Sequence, residues 1–162
     1  MSAEPALTSH IARTVELDPL TLYQLLKLRV DVFVVEQECA YPDLDGRDVE
    51  PGTLQLWLSR ADAVIACLRL LTDPGDPAGG GPVRRIGRVA VAAGERGQGH
   101  AGRLVDAALA IAGDQLCVLD AQAHLTALYA RHGFAVAGPE YLEDGIAHVP
   151  MRRPASGAAN DE

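Results

Sequence analysis

The stretch Arg85–Val105, reading RIGRVAVAAGERGQGHAGRLV, limits the fold more than any other part of the chain. Ile86–Val91 is short, apolar and β-branched, as a buried strand requires. A loop later, Gly97, Gln98, Gly99 and His100 open a segment in which Ala101, Leu104, Val105, Ala108, Leu109 and Ala112 recur at helical spacing. The unit is a strand, a glycine-rich turn and a helix. The first turn of such a helix presents backbone N–H groups without partners, at the positive end of the helix dipole. With no side chains at Gly97 and Gly99, that turn is shaped to hold phosphate oxygens.

Two other readings compete for the same residues. One is a plain glycine turn before a helix. The other is a dinucleotide fingerprint and an NAD-dependent enzyme, since Gly97, Gly99 and Gly102 satisfy G-x-G-x-x-G and Asp120 follows about 20 residues on. In dinucleotide folds, however, the glycines follow their strand at once and further strand–helix units come after. Here Ala92–Arg96 intervene, and the remaining chain is too short for a second half.

A chain of 162 residues, 48% hydrophobic, can bury one sizeable core, so a single domain over 1–162 is expected, with flexible tails at 1–9 and 154–162. No apolar run is long enough to span a bilayer, and Met1–Ser9 lacks the basic end and apolar centre of a signal peptide; a cytoplasmic protein without a membrane partner is expected. The net charge of −8 argues against a nucleic-acid partner, because nothing would neutralise a row of phosphates. It suits a cationic substrate, and equally ordinary solubility. Cys39, Cys67 and Cys117 show no zinc-like spacing, so no metal is expected; Cys67 and Cys117 lie in apolar runs and read as reduced core residues. Cys39 has no adjacent histidine and reads as a bystander rather than a nucleophile.

Along the chain, Ile11–Leu17 alternates as a first strand. Asp18 is a helix N-cap and Pro19 the first helical residue, with Leu22, Leu25, Leu26, Val30 and Phe33 forming one face of a helix that runs to about Val35. Leu54, Leu56 and Leu58 mark a half-buried strand that pairs with Ala63–Leu71 in an antiparallel hairpin. The glycine- and proline-rich stretch 72–82 is a flexible connection into the central strand. Gln115–Leu119 should return parallel to that strand through a right-handed crossover. Ala123–His132 is helical and is closed by Gly133, and Phe134–Val136 and Ala147–Met151 supply final strands. This order fits α/β layers around a mixed sheet.

Arg96-x-x-Gly99-x-Ala101 after a strand resembles the pyrophosphate signature [Q/R]-x-x-G-x-[G/A] of the GNAT N-acetyltransferases. Leu128-Tyr129-Ala130-Arg131-His132-Gly133-Phe134 resembles the LYxxxGF element that these enzymes carry one strand and one helix later. LKLRVDVFVVEQ at 26–37, DLDG at 43–46, DAQAHL at 120–125 and EDGIAH at 143–148 are similar to the ElaA-like subgroup. The resemblance covers nearly the whole chain. It implies the GNAT fold, a mixed and mostly antiparallel sheet of about six or seven strands with a central splayed parallel pair and helices on both faces.

It also implies acetyl-CoA as cosubstrate and the primary amine of a small molecule or peptide as acceptor; a homodimer is compatible with it. In such folds the pantetheine arm lies between the splayed strands, bonded to backbone groups at Val89 and Val91. The pyrophosphate rests on the amides of Arg96, Gly97, Gln98, Gly99, His100 and Ala101. Gln122 stands where many relatives place an asparagine that reaches the pantetheine, and Tyr129 matches the tyrosine that commonly protonates the leaving sulfur. Glu36 and His148 fall in segments lining the acceptor pocket, and each is a candidate general base. Asp43, Asp45 and Asp144 are turn residues that could also attract a cationic amine. A CoA-binding or sensing module without turnover is the alternative, since it needs the phosphate loop but neither Tyr129 nor a base.

Overall fold

The computed structural model describes residues 2–75 and 80–155. The middle of the glycine- and proline-rich connection and most of the C-terminal tail lie outside the described residues. The chain forms β1 (Leu7–Arg13), α1 (Pro19–Val30), β2 (Leu54–Arg60), β3 (Ala63–Asp73), β4 (Val83–Val91), α2 (His100–Ala112), β5 (Cys117–Gln122), α3 (Thr126–Ala130), β6 (Ala135–Val136), β7 (Tyr141–Glu143) and β8 (Ile146–Arg153). These strands make one mixed sheet in the order β1-β2-β3-β4-β5-β8-β6, with β7 also paired to β8. Every pairing is antiparallel except β4 with β5.

That parallel pair is joined at two positions only, Arg84 with Cys117 and Arg85 with Val118. Beyond Arg85 the two strands carry no ladder between them, which leaves a slot whose walls are the ends of β4 and β5. One face of the sheet buries Leu56, Leu68, Leu70 and Ile86 against Leu104, Val105 and Ala108 of α2 and Tyr129 of α3. The other buries Trp57, Cys67 and Ala90 against Leu25 and Leu28 of α1. Helices therefore cover both faces, and β2 is buried on both sides rather than half-buried, with Gln55, Trp57 and Ser59 all enclosed.

Several boundaries differ from expectation. The first strand is Leu7–Arg13, not Ile11–Leu17, so the N-terminal tail ends earlier than 9; it is fixed by antiparallel pairing with Leu54–Arg60. The sheet has eight strands, not six or seven, because Tyr141–Glu143 also pairs with β8, turning back around Asp144 and Gly145. Asp18 does cap α1, accepting from the backbone N–H of Leu20 and Thr21 at 3.0 Å each. The buried stripe of that helix runs through Leu25, Leu28, Arg29 and Val32, leaving Val30 exposed. Arg29 occupies a core position because its charge is matched there, as described below.

After Val30 the helix widens into a π-helical segment, Asp31–Glu36, closed by bonds from Gln37 N–H to Val32 O and from Cys39 N–H to Val34 O. Such widening often accompanies functional sites, and here it turns Glu36 and Gln37 toward the slot. No helix among the described residues is long and apolar enough to cross a membrane.

Candidate active site

The glycine-rich loop lies after the end of β4. Gly97 and Gly99 take left-handed backbone angles, φ +78° and +80°, which glycine adopts without steric cost. A Cβ at either position would meet no protein atom within 4 Å, so the loop faces open space. Gly99 is the N-cap of α2 and provides no capping side chain. The N–H groups of the first turn are thus left for an external acceptor, and the residues fit a diphosphate. Gly102 has another role, since a Cβ there would stand 3.3 Å from Nε2 of His132. This explains the third glycine of the apparent dinucleotide pattern by packing. The antiparallel return of β8 beside β5 also excludes a doubly wound sheet.

Side chains of the loop brace it from within. His100 is buried, with Nε2 3.3 Å from Glu95 Oε2, so its ring points inward. Arg60 on β2 donates to Glu95 at 3.2 Å and to the Gln98 side chain at 3.2 Å. Burial works against ionisation of Glu95, but the bonds from His100 and Arg60 outweigh it and hold the carboxyl below its ordinary range.

Arg96 does not project freely into the loop. Its Nε donates to the Val91 carbonyl at 3.1 Å, and its two terminal nitrogens donate to both oxygens of Glu36 at 2.6 and 2.5 Å. The guanidinium lowers the pKa of Glu36, which favours the anion over a proton acceptor. A cavity of about 230 Å³ lies beside this pair, lined by Leu28, Val32, Ala92, Ala93 and Asp31 as well as by Glu36 and Arg96. The next residue, Gln37, exchanges amide hydrogen bonds with Gln122 at 3.2 and 3.1 Å.

Gln122 is the last residue of β5 and stands in register with His148 on β8, which in turn pairs with Tyr141 on β7. The Tyr141 ring stacks on His148 with centroids 5.8 Å apart. His148 Nδ1 is 2.8 Å from the Ile146 carbonyl. A carbonyl only accepts, so Nδ1 carries the hydrogen and the neutral ring keeps its lone pair on Nε2. Tyr129 has a buried ring packed edge-on against Phe134, and burial pushes its hydroxyl up to about 12. That hydroxyl makes no hydrogen bond among the described residues, and burial alone accounts for its shift.

Beside the slot lies an ion network that no sequence motif announces. Arg29, 1% exposed, donates to Asp43 at 3.0 Å and to Asp48 at 2.6 Å. Arg69 reaches Asp45 at 2.8 Å and Asp48 at 3.3 Å, and Arg88 lies 2.9 Å from Asp43 while covering the Tyr41 ring. Asp43 is buried and matched by Arg29 and Arg88 rather than solvated; Asp45 does lie in an exposed turn, its Oδ1 accepting from the Arg47 N–H at 3.0 Å, but arginines pair it too, so neither is a free carboxylate awaiting an amine. Arg29 at helical spacing from Leu25 and Val32 was the available signal. Cys39 is buried, with its thiol 3.6 Å from the Asp144 carbonyl, tying the loop after α1 to the β7–β8 turn. Burial pushes the Cys67 thiol up to about 12 and also raises that of Cys117, in keeping with core positions.

Comparison with known proteins gives a consistent picture. The family profile described as Acetyltransferase (GNAT) domain matches residues 34–154. UPF0039 protein Rv2851c of Mycobacterium tuberculosis is 56% identical over 143 residues, covering 88% of this chain and 90% of that protein. A crystal structure of an acyl-CoA N-acyltransferase from Pseudomonas aeruginosa superposes with a TM-score of 0.82 at 41% identity, covering 91% of this chain and 99% of the other. That of Escherichia coli ElaA also reaches 0.82, at 33% identity and with 90% and 99% covered.

Proposed function

We propose that this chain, which belongs to the GNAT acetyltransferase family and to its ElaA-like subgroup, transfers an acetyl group from acetyl-CoA to a primary amine of a small molecule or peptide. The GNAT acyltransferase fold supports acyl transfer in general. The observation that carries the finer reading is the uncapped start of α2, with its two left-handed glycines, at the mouth of the slot between β4 and β5.

Direct attack suits the groups at hand. A deprotonated amine attacks the thioester carbon, backbone N–H groups near Val89 or Val91 receive the oxyanion, and the C–S bond breaks to release the CoA thiolate. His148 is the better base, because its Nε2 lone pair is available while Glu36 is committed to Arg96. Tyr129 is protonated at neutral pH. With its hydroxyl at about 12 against about 8.5 for a thiol, full transfer to sulfur would be uphill by about 5 kcal/mol. Its role is then to stabilise the departing thiolate through a hydrogen bond.

The test is calorimetric titration with acetyl-CoA, free CoA and NADH, followed by thiol-release assays on a panel of amines. Micromolar acetyl-CoA binding without NADH binding supports the reading, and binding of neither by folded protein defeats it. Tyr129→Phe and His148→Gln should lower kcat by about tenfold or more while leaving acetyl-CoA affinity within about twofold. Binding without turnover of any amine would favour a CoA-sensing module instead.

A further inference from the structure

The turn that closes the π-helical segment grips both walls of the slot at once. Glu36 holds Arg96, and Arg96 holds the carbonyl of Val91, the last residue of β4. Its neighbour Gln37 holds Gln122, the last residue of β5. Backbone pairing between these strands stops at Arg85 and Val118. At the open end, the path from Val91 through Arg96, Glu36 and Gln37 to Gln122 is a side-chain tie between strands that no ladder joins.

Leu119 and Ala121 face the α2 side, so Gln122 alternates to the α1 side, where the amide pair spans the slot next to His148. Each amide in the pair gives one N–H and its carbonyl, and keeps a second N–H unspent. Gln122 can therefore donate to a bound pantetheine while still tied to Gln37.

We propose that Gln37 is a positioning residue that determines acyl specificity. With Glu36 it forms a cross-brace that fixes the separation of β4 and β5 and roofs the slot, admitting acetyl and turning away longer acyl chains. This rests on the acyl-CoA reading above. Both links are partly exposed polar contacts of a kind that contributes little to stability, so their loss should alter the slot far more than the fold.

The experiment is calorimetric titration of wild type, Gln37→Ala, Gln122→Ala and the double variant with acetyl-CoA and with hexanoyl-CoA, with thermal melts as a check on folding. Wild type should prefer acetyl-CoA by about tenfold, and Gln37→Ala should narrow that ratio by about fivefold. The double variant should move the ratio no further than either single one, because both remove the same pair. Less than a twofold change in the Gln37→Ala ratio, an additive double variant, or a wild type indifferent to chain length would overturn the brace alone. Failure of folded wild type to bind either thioester would remove the acyl-CoA reading, and the brace with it.

Discussion

Replacing Arg29 by methionine should be among the most damaging single changes in this protein. The guanidinium is 1% exposed and is bonded to Asp43 and Asp48, which are themselves enclosed. Methionine fills similar space but leaves two carboxylates with only part of their compensation, Asp48 from Arg69 and Gln55 and Asp43 from Arg88 and the Tyr41 hydroxyl. Breaking a buried charge set from one side costs about 3–5 kcal/mol. For a chain of this size that corresponds to a fall of about 6–20 °C in Tm.

The pH dependence follows from Asp48. Burial raises its pKa, the bonds to Arg29, Arg69 and Gln55 lower it, and the net effect is a depressed value. In wild type its contribution is present above the unfolded-state pKa of about 3.9 and is lost as pH falls through the depressed folded value. Without Arg29 the leading favourable contact is gone while burial remains, so Asp48 shifts upward. The deficit of Arg29→Met should then shrink as pH is lowered from 7 toward about 4.5. Urea unfolding followed by circular dichroism at both pH values measures this. A loss below about 1 kcal/mol at pH 7, or a deficit that widens in acid, would refute the reasoning.

Gly99→Ala should destabilise the protein by about 1 kcal/mol through its left-handed φ alone, since no protein atom crowds the new methyl. It should also weaken acetyl-CoA binding in the still-folded variant; an unchanged Kd by titration would take the phosphate off the start of α2. The three cysteines are all buried and free, so native protein at pH 8 should release less than about one equivalent in an aromatic disulfide assay, and denatured protein all three. Rapid native reaction would show that the core around Cys67 opens readily.

Most of the scaffold was legible because its signals are local and redundant. The glycines before α2, the Asp18 cap and the leucine-rich runs of β2 and β3 each depend on a few neighbouring residues, and all lead to the same architecture. What escaped depends on pairing across the fold. Arg29 broke the apolar stripe of α1, and only contact with Asp43 and Asp48, remote in sequence, explains why it lies inside. The candidate site shows the same division. Its residues are placed by motif, but the commitment of Glu36 to Arg96 joins two motifs far apart in sequence, and the hydrogen on Nδ1 of His148 is set by the backbone carbonyl of Ile146; a motif taken singly shows neither contact.

Arg88 joins the remote network to the slot. Between β3 and β4 the register passes from Cys67 with Ala90 to Arg69 with Gly87, so β4 carries one extra residue there. At this bulge Arg88 has a φ of +50°, a left-handed conformation costing a non-glycine residue about 1–2 kcal/mol. Asp43 and the Tyr41 ring hold its side chain, and Arg29 holds Asp43. The bulge lies at Val89, on the part of β4 beyond its last pairing with β5, so a strained turn beside the proposed site is maintained by a buried charge set behind it. The ordering of two variants tests this. Both Arg88→Gly and Arg88→Ala lose the contacts, but only glycine also relieves the backbone. In a regular strand alanine is the more stable by about 0.5–1 kcal/mol. Here glycine should be the more stable, by about 1 kcal/mol in urea melts. If alanine is equal or better, the bulge carries no strain, and the link between the Arg29 network and the geometry at Val89 fails.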